Sequence, residues 1–140
     1  TTDLGEEYYL TIFYGVYNKR NRTFTFANGG QNCMPLVIRE NNVEEVFIPG
    51  LPICTMFEGV NHEVKSIALG EKDRILFYTD GVSEAKNKDN VEFEDELKSI
   101  CEVNKKMGSK ELVEEIYDNL IKFSNGDIND DVAILLIKGL

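Results

Sequence analysis

Two short acidic segments carry the residue types best suited to chemistry in this 140-residue chain. Asp80-Gly81 follows the run Ile75-Leu-Phe-Tyr78, and Asp130-Asp131 precedes Val132-Ala-Ile-Leu-Leu-Ile137. Both runs are apolar throughout and of strand length, the pattern of strands buried on both faces. A carboxylate at the end of such a strand is held by a rigid element, and Gly81 permits a turn or the close approach of a ligand. If the two strands lie antiparallel and adjacent, the end of the first meets the start of the second, and Asp80 converges with Asp130. Carboxylates about 4 Å apart repel by about 4 kcal/mol at an effective dielectric near 20, a cost that a divalent cation removes. Oxygen ligands without Cys or His favour Mg²⁺ or Mn²⁺ over zinc. The plainer readings stand beside this one: Asp-Gly after a strand serves as a turn, and a double acid before a strand caps a loop.

The elements that must position these acids can be read in order. Tyr8–Tyr17 reads as a strand with Leu10, Ile12, Tyr14 and Val16 alternating against Thr11, Phe13, Gly15 and Tyr17, so both faces are expected to be at least partly covered. Arg22–Ala27 returns as a second strand with Phe24 and Phe26 on one face, broken by Asn28-Gly-Gly-Gln-Asn32. Pro35–Arg39 and Val43–Ile48 flank Asn41-Asn42 as a hairpin. Pro49-Gly-Leu-Pro52 opens a loop toward Met56 and Phe57, and His62–Leu69 is a further strand, which makes the single histidine an exposed strand residue. Helical spacing then appears over Glu92–Val103 and Ser109–Phe123, the latter with Ser109 as N-cap and Gly126 just beyond its end. Strands with short links followed by helices predict one α+β domain over residues 1–140, an antiparallel β-sandwich flanked by helices.

Composition narrows the class. Fifteen Lys and Arg against twenty-five Asp and Glu give a net charge of −10 and a pI near 4.6. No Lys/Arg run reverses this locally, so nucleic acid and anionic membranes are poor partners, and cations or a basic partner suit the surface better. Cys33, Cys54 and Cys101 are odd in number and form no C-x-x-C pair, which points to a reducing, cytoplasmic setting rather than a disulfide framework or a zinc site. No apolar run approaches the roughly 20 residues of a membrane span. A start at Thr1-Thr2 without Met suggests a processed product or an excised piece of a longer chain, with a sensor or regulatory region expected upstream.

Leu76-Phe-Tyr-Thr-Asp-Gly-Val-Ser-Glu-Ala85 resembles the "LLYTDGVTEA" signature of PPM-type metal-dependent serine/threonine phosphatases, in the bacterial branch typified by stage II sporulation protein E and the sigma-B regulator U phosphatases. Phe13-Tyr-Gly-Val-Tyr17 is similar to that family's "FYGVLD", Phe26-Ala-Asn-Gly-Gly-Gln-Asn32 to "YANAGHNPP", Gly50-Leu-Pro-Ile53 to "GLPLG", and Asp130-Asp-Val-Ala-Ile-Leu-Leu136 to "DDITLLVL". The resemblance implies a two-metal Mn²⁺ or Mg²⁺ centre whose bridging water attacks phosphoserine or phosphothreonine in line. By the same resemblance Asp80 and Asp130 are metal ligands, Asp131 is the adjacent partner acid, and Gly81 is the tight turn that lets Asp80 reach the ion. The implied substrate is a phosphorylated bacterial signalling protein of the anti-sigma-factor antagonist type.

The chain departs from that pattern at several points. Gln31 stands where the family carries His, and Ala133 replaces the Thr after the acid pair. The family's "GDYYD"-like strand and "DVSGHG"-like segment, which supply further aspartates, are not found, and Thr1–Leu10 contains only Asp3. The N-terminal part of the phosphatase domain is therefore expected to be absent, with weak metal binding and no activity for the 140 residues alone. Exposed sheet edges are expected to promote a homodimer or oligomer. The alternative is a non-catalytic regulatory or interaction module on a phosphatase-like scaffold. A haloacid-dehalogenase-type phosphatase would need an acid where Tyr78 stands, and a receiver domain would need βαβ alternation.

Overall fold

A computed structural model describes residues 8–54, 59 and 61–140. Asp3, Met56 and Phe57, named above, lie outside the described residues. The strands are β1 (Ile12–Asn18), β2 (Thr23–Gly29), β3 (Leu36–Ile38), β4 (Val43–Glu45), β5 (Val64–Ala68), β6 (Arg74–Tyr78) and β7 (Ile134–Lys138). The helices are α1 (Asp80–Ser83), α2 (Glu94–Val103) and α3 (Ser109–Ser124). One sheet has the order β1-β2-β5 and the other β4-β3-β6-β7, all pairs antiparallel. The expected α+β class is what the chain adopts. The short turn at Gly70–Asp73 does not fold β6 back onto β5; it carries the chain from one sheet to the other.

Alternation along β3 and β6 explains the layers. Leu36, Ile38, Leu76 and Tyr78 point to one side and pack with Val82, Phe93, Leu97, Ile100, Leu112, Ile116 and Leu120 of the helical segment. Val37 and Ile75 point to the other side and join Phe24 and Phe26 of β2 with Leu69, closing the space between the sheets. Phe77 completes that inner layer, its ring edge-on to Phe26 at 6.2 Å. A strand covered by helices on one face and a sheet on the other admits a polar residue only at its ends, hence the apolar run between them. β6 is such a strand.

Four expectations are corrected. β1 is covered on one face only: Phe13 and Tyr17 pack inward, while Tyr14 is 67% and Val16 55% exposed. This strand is a sheet edge, and among the described residues nothing lies over its outer face. β7 is also an edge strand rather than a fully buried one, with Leu135 57% exposed. Ser109 is the first helical residue of α3; Gly108 holds the N-cap position and no side chain caps there. At the other end Asn125, in the left-handed region, precedes Gly126 and ends the helix. His62 is half-buried before β5, its Nε2 2.9 Å from the Leu51 carbonyl, rather than exposed within the strand. No helix among the described residues is long and apolar enough to cross a membrane.

Candidate functional site

β6 and β7 pair directly, Leu76 opposite Leu136 and Tyr78 opposite Ile134. The end of β6 therefore lies beside the start of β7, and Asp80, two residues past Tyr78, and Asp130, four residues before Ile134, line the same cleft. The cleft has a volume of about 590 Å³ and is walled by Thr79, Asp80, Asp130 and Asp131 on one side. Gly30 and Gln31, from the loop after β2, and Gly50 and Pro52 form the opposite wall. The segments singled out in the sequence for glycines and for paired acids thus meet in one place.

Thr79 fixes the junction. Its hydroxyl donates to the Asp131 carbonyl at 2.9 Å and accepts the Ala133 N–H at 3.0 Å, while its own N–H donates to the Ala133 carbonyl at 3.1 Å. Thr79 occupies the N-cap position of α1, but its side chain makes no cap bond because the hydroxyl is committed to the strand opposite. Gly81 follows Asp80 at the start of α1, directly after β6. It lies buried in α1, and a Cβ there would collide with the Asp131 carbonyl oxygen and lie 3.0 Å from that of Asp130. What approaches Gly81 closely is the backbone of the second acid pair. The Asp131 N–H donates to Asp130 Oδ1 at 2.8 Å, which orients that carboxylate and leaves Oδ2 without a protein donor among the described residues.

The far wall is equally built. Asn28 is fully buried; its amide donates to the carbonyls of Gln31 (2.8 Å) and Ile48 (2.7 Å), and its Oδ1 accepts the Gln31 N–H at 2.7 Å. Gly50 packs on the Asn28 backbone, and Gly30, at φ +91°, packs on Pro52, so neither position has space for a side chain. The Gln31 side chain donates to Thr11 Oγ1 at 3.1 Å. Thr79 and Asn28 are the positioning residues that sequence reasoning passed over. Their signal was available: a Thr between a buried strand and an acid, and an Asn opening a Gly-Gly break.

Cys33 borders the cleft but is a poor nucleophile. Burial, first, and the charges of Asp80, Glu84 and Glu94 push its thiol up, against a 3.5 Å hydrogen bond with Ser83. The chemistry left to the cleft is that of oxygen donors. Asp80 and Asp130 offer hard ligands on rigid strand ends, and no histidine lines the cleft. That donor type fits Mg²⁺ or Mn²⁺. Their number is small, since the described residues contain no group of three His, Cys, Asp or Glu arranged to hold one ion.

A family model described as stage II sporulation protein E (SpoIIE) matches residues 1–139. Phosphoserine phosphatase RsbU from Bacillus subtilis (strain 168) is 23% identical over 131 residues, which are 93% of this chain and 39% of RsbU. The chain thus spans well under half the length of that relative. Its fold is shared with the PP2C phosphatase domain and regulatory-domain fragment of SpoIIE from Bacillus subtilis, at a TM-score of 0.73 and 22% identity, covering 92% of this chain and 37% of that one. The manganese-presoaked SpoIIE phosphatase domain from Bacillus subtilis gives a TM-score of 0.67 at 18% identity, over 91% of this chain and 56% of that one.

Proposed function

Because the chain belongs to the stage II sporulation protein E (SpoIIE) family, we propose that it forms the acid-bearing part of a metal-dependent phosphoprotein phosphatase. The substrate we assign is phosphoserine or phosphothreonine on a bacterial signalling protein of the anti-sigma-factor antagonist type. The observation that carries this reading is the convergence of Asp80 and Asp130 at the paired ends of β6 and β7, in a cleft with neither an imidazole nor an activated thiol.

A divalent cation held by Asp80 and Asp130 would supply positive charge against the phosphoryl oxygens and activate water near neutral pH. The chain's own contribution is placement. Thr79 locks the two backbones that bear the acids, and Gly81 lets them approach to van der Waals contact. The Asp131 amide orients Asp130, so Asp131 supports a ligand while Asp80 and Asp130 serve as ligands. The rigid wall of Gly30, Gly50 and Pro52 sets how deep a phosphorylated side chain can enter.

One observation favours a second reading, a non-catalytic regulatory module: fewer than three ligand-type side chains converge among the described residues. Assay of the full-length protein on a phosphoserine peptide with Mn²⁺ or Mg²⁺ separates the two. The phosphatase reading expects turnover that Asp80→Asn and Asp130→Asn each lower at least a hundredfold, with a smaller loss for Asp131→Asn. An inert intact protein whose Mn²⁺ affinity is unchanged by Asp80→Asn would establish the regulatory reading instead.

A further inference from the structure

At the end of β6 opposite Asp80, folding assembles a basic cavity that the sequence does not show as a run. Lys72, Arg74, Lys105, Lys106 and Lys138 line a space of about 320 Å³ together with Glu40. They come from the turn before β6, from β6 itself, from the α2–α3 loop and from the last residue of β7. One third of the fifteen Lys and Arg residues thus gather in one place on a chain of net charge −10. No run in the sequence marks this grouping, because four separate segments supply its cations.

Arg74 gives the cavity its meaning. It is 5% exposed, and its guanidinium donates to the carbonyls of Met107 (2.5 Å) and Lys105 (2.6 Å). Among the described residues it has no carboxylate within ion-pair distance. Carbonyl dipoles solvate the charge without neutralising it, and a buried charge lacking a counter-charge is costly. Burial accordingly lowers the Arg74 pKa. Around it Lys72 is held by Glu40 at 3.2 Å and Lys105 by Glu102 at 2.7 Å, while Lys106 and Lys138 make no ion pair among the described residues. Glu111, the other carboxylate nearby, lies against Gly108. Even with these acids present, the cavity presents a planar guanidinium and two exposed ammonium groups to a common space.

We propose that this cavity binds a small multivalent oxyanion of the phosphate class, with Arg74 as the buried anchor and Lys106 and Lys138 closing over it. The Arg74 N–H groups not spent on the Met107 and Lys105 carbonyls suit an oxygen of such a group, and ammonium ions supply point charges around it. The site is separate from the acidic cleft: the length of β6 puts the two roughly 15 Å apart, at a strand rise of about 3.3 Å per residue.

The test is calorimetric titration of the full-length protein with inorganic pyrophosphate, in EDTA-containing buffer at fixed ionic strength, with amide NMR to locate the response. Saturable one-to-one binding is expected, with the largest shifts at Arg74, Gly108 and Ser109. Lys106→Gln combined with Lys138→Gln should weaken binding at least tenfold, since both side chains are exposed and their loss leaves the core untouched. Asp80→Asn with Asp130→Asn should leave it unchanged, and phosphate monoanion should bind more weakly than pyrophosphate. A non-saturating response, shifts centred on Asp80, or equal affinity in the double Lys variant would overturn the proposal.

Discussion

The hydroxyl of Thr79 sits where a helix cap would be expected and bonds across to the neighbouring strand instead. That choice makes Thr79 the link between the two acid-bearing backbones. Thr79→Val keeps the shape and removes both side-chain bonds. It should lower stability by about 1 kcal/mol, read from urea unfolding, as expected for a partly solvated pair of hydrogen bonds. Mn²⁺ affinity should fall by more than that stability loss implies, because Asp130 loses its register with Asp80, and Thr79→Ser should restore both. Normal Mn²⁺ binding in Thr79→Val would remove Thr79 from the site. Gly81→Ala tests the same junction from the steric side. The new methyl meets the Asp131 carbonyl, a backbone atom that cannot swing away, so a cost of about 1–3 kcal/mol is expected together with weakened metal binding.

At the scale of elements, the features readable in the sequence are those with a single physical cause. The unbroken apolar run of β6 reflects coverage on both faces, and its antiparallel pairing with β7 follows the arrangement reasoned from the two acid positions. Edge strands were harder to read. β1 and β7 are as rich in Val, Ile, Leu and Tyr as central strands, and no residue type records that one side lacks a cover. The basic cavity was also invisible, because its cations are brought together by four separate segments. Gly81 was legible as a turn or close-approach position, but not that the backbone of Asp130 and Asp131 is what approaches it, since a ligand, a turn and a neighbouring backbone ask for the same residue.

Packing of α2 against the sheet carries its own prediction. Cys101 is fully buried on α2, and burial pushes its thiol from the ordinary 9.0 up to about 12, with the Arg74 charge pulling weakly the other way. Tyr78, buried beneath the same helices, is raised for the same reason. In the unfolded chain these protons leave at the ordinary pKa values, whereas the folded chain retains them. The unfolded state therefore binds fewer protons above about pH 9, and stability must fall as pH rises from there toward about 12. Urea unfolding at successive pH values should show a flat region below pH 9 and then a decline. Each retained proton contributes at most about 1.4 kcal/mol per pH unit. Cys101→Ala should start from a lower stability and decline less steeply. An unchanged slope would mean that the thiol titrates alike in the folded and unfolded chains.

Across the whole molecule, charge is segregated along the axis of β6. Asp80, Asp130 and Asp131 gather at one end, Arg74 and its lysines at the other, on a chain that carries ten excess negative charges. A divalent cation binding at the acidic end should stabilise the entire fold by linkage, because the unfolded chain does not bring Asp80 and Asp130 together. At a Mn²⁺ concentration one hundred times Kd the gain is about 2.7 kcal/mol, which for a chain of this size corresponds to a rise in Tm on the order of 10 °C. The field of the net charge adds to the attraction, so the apparent affinity should weaken as salt shortens the screening length to about 10 Å at 0.1 M. Asp80→Asn offers the control. Removing one of the gathered negative charges should leave this variant at least as stable as the parent without metal, while its response to Mn²⁺ should be lost. A Tm that rises equally in parent and variant would show that the cation acts on the general negative field rather than at the junction of β6 and β7.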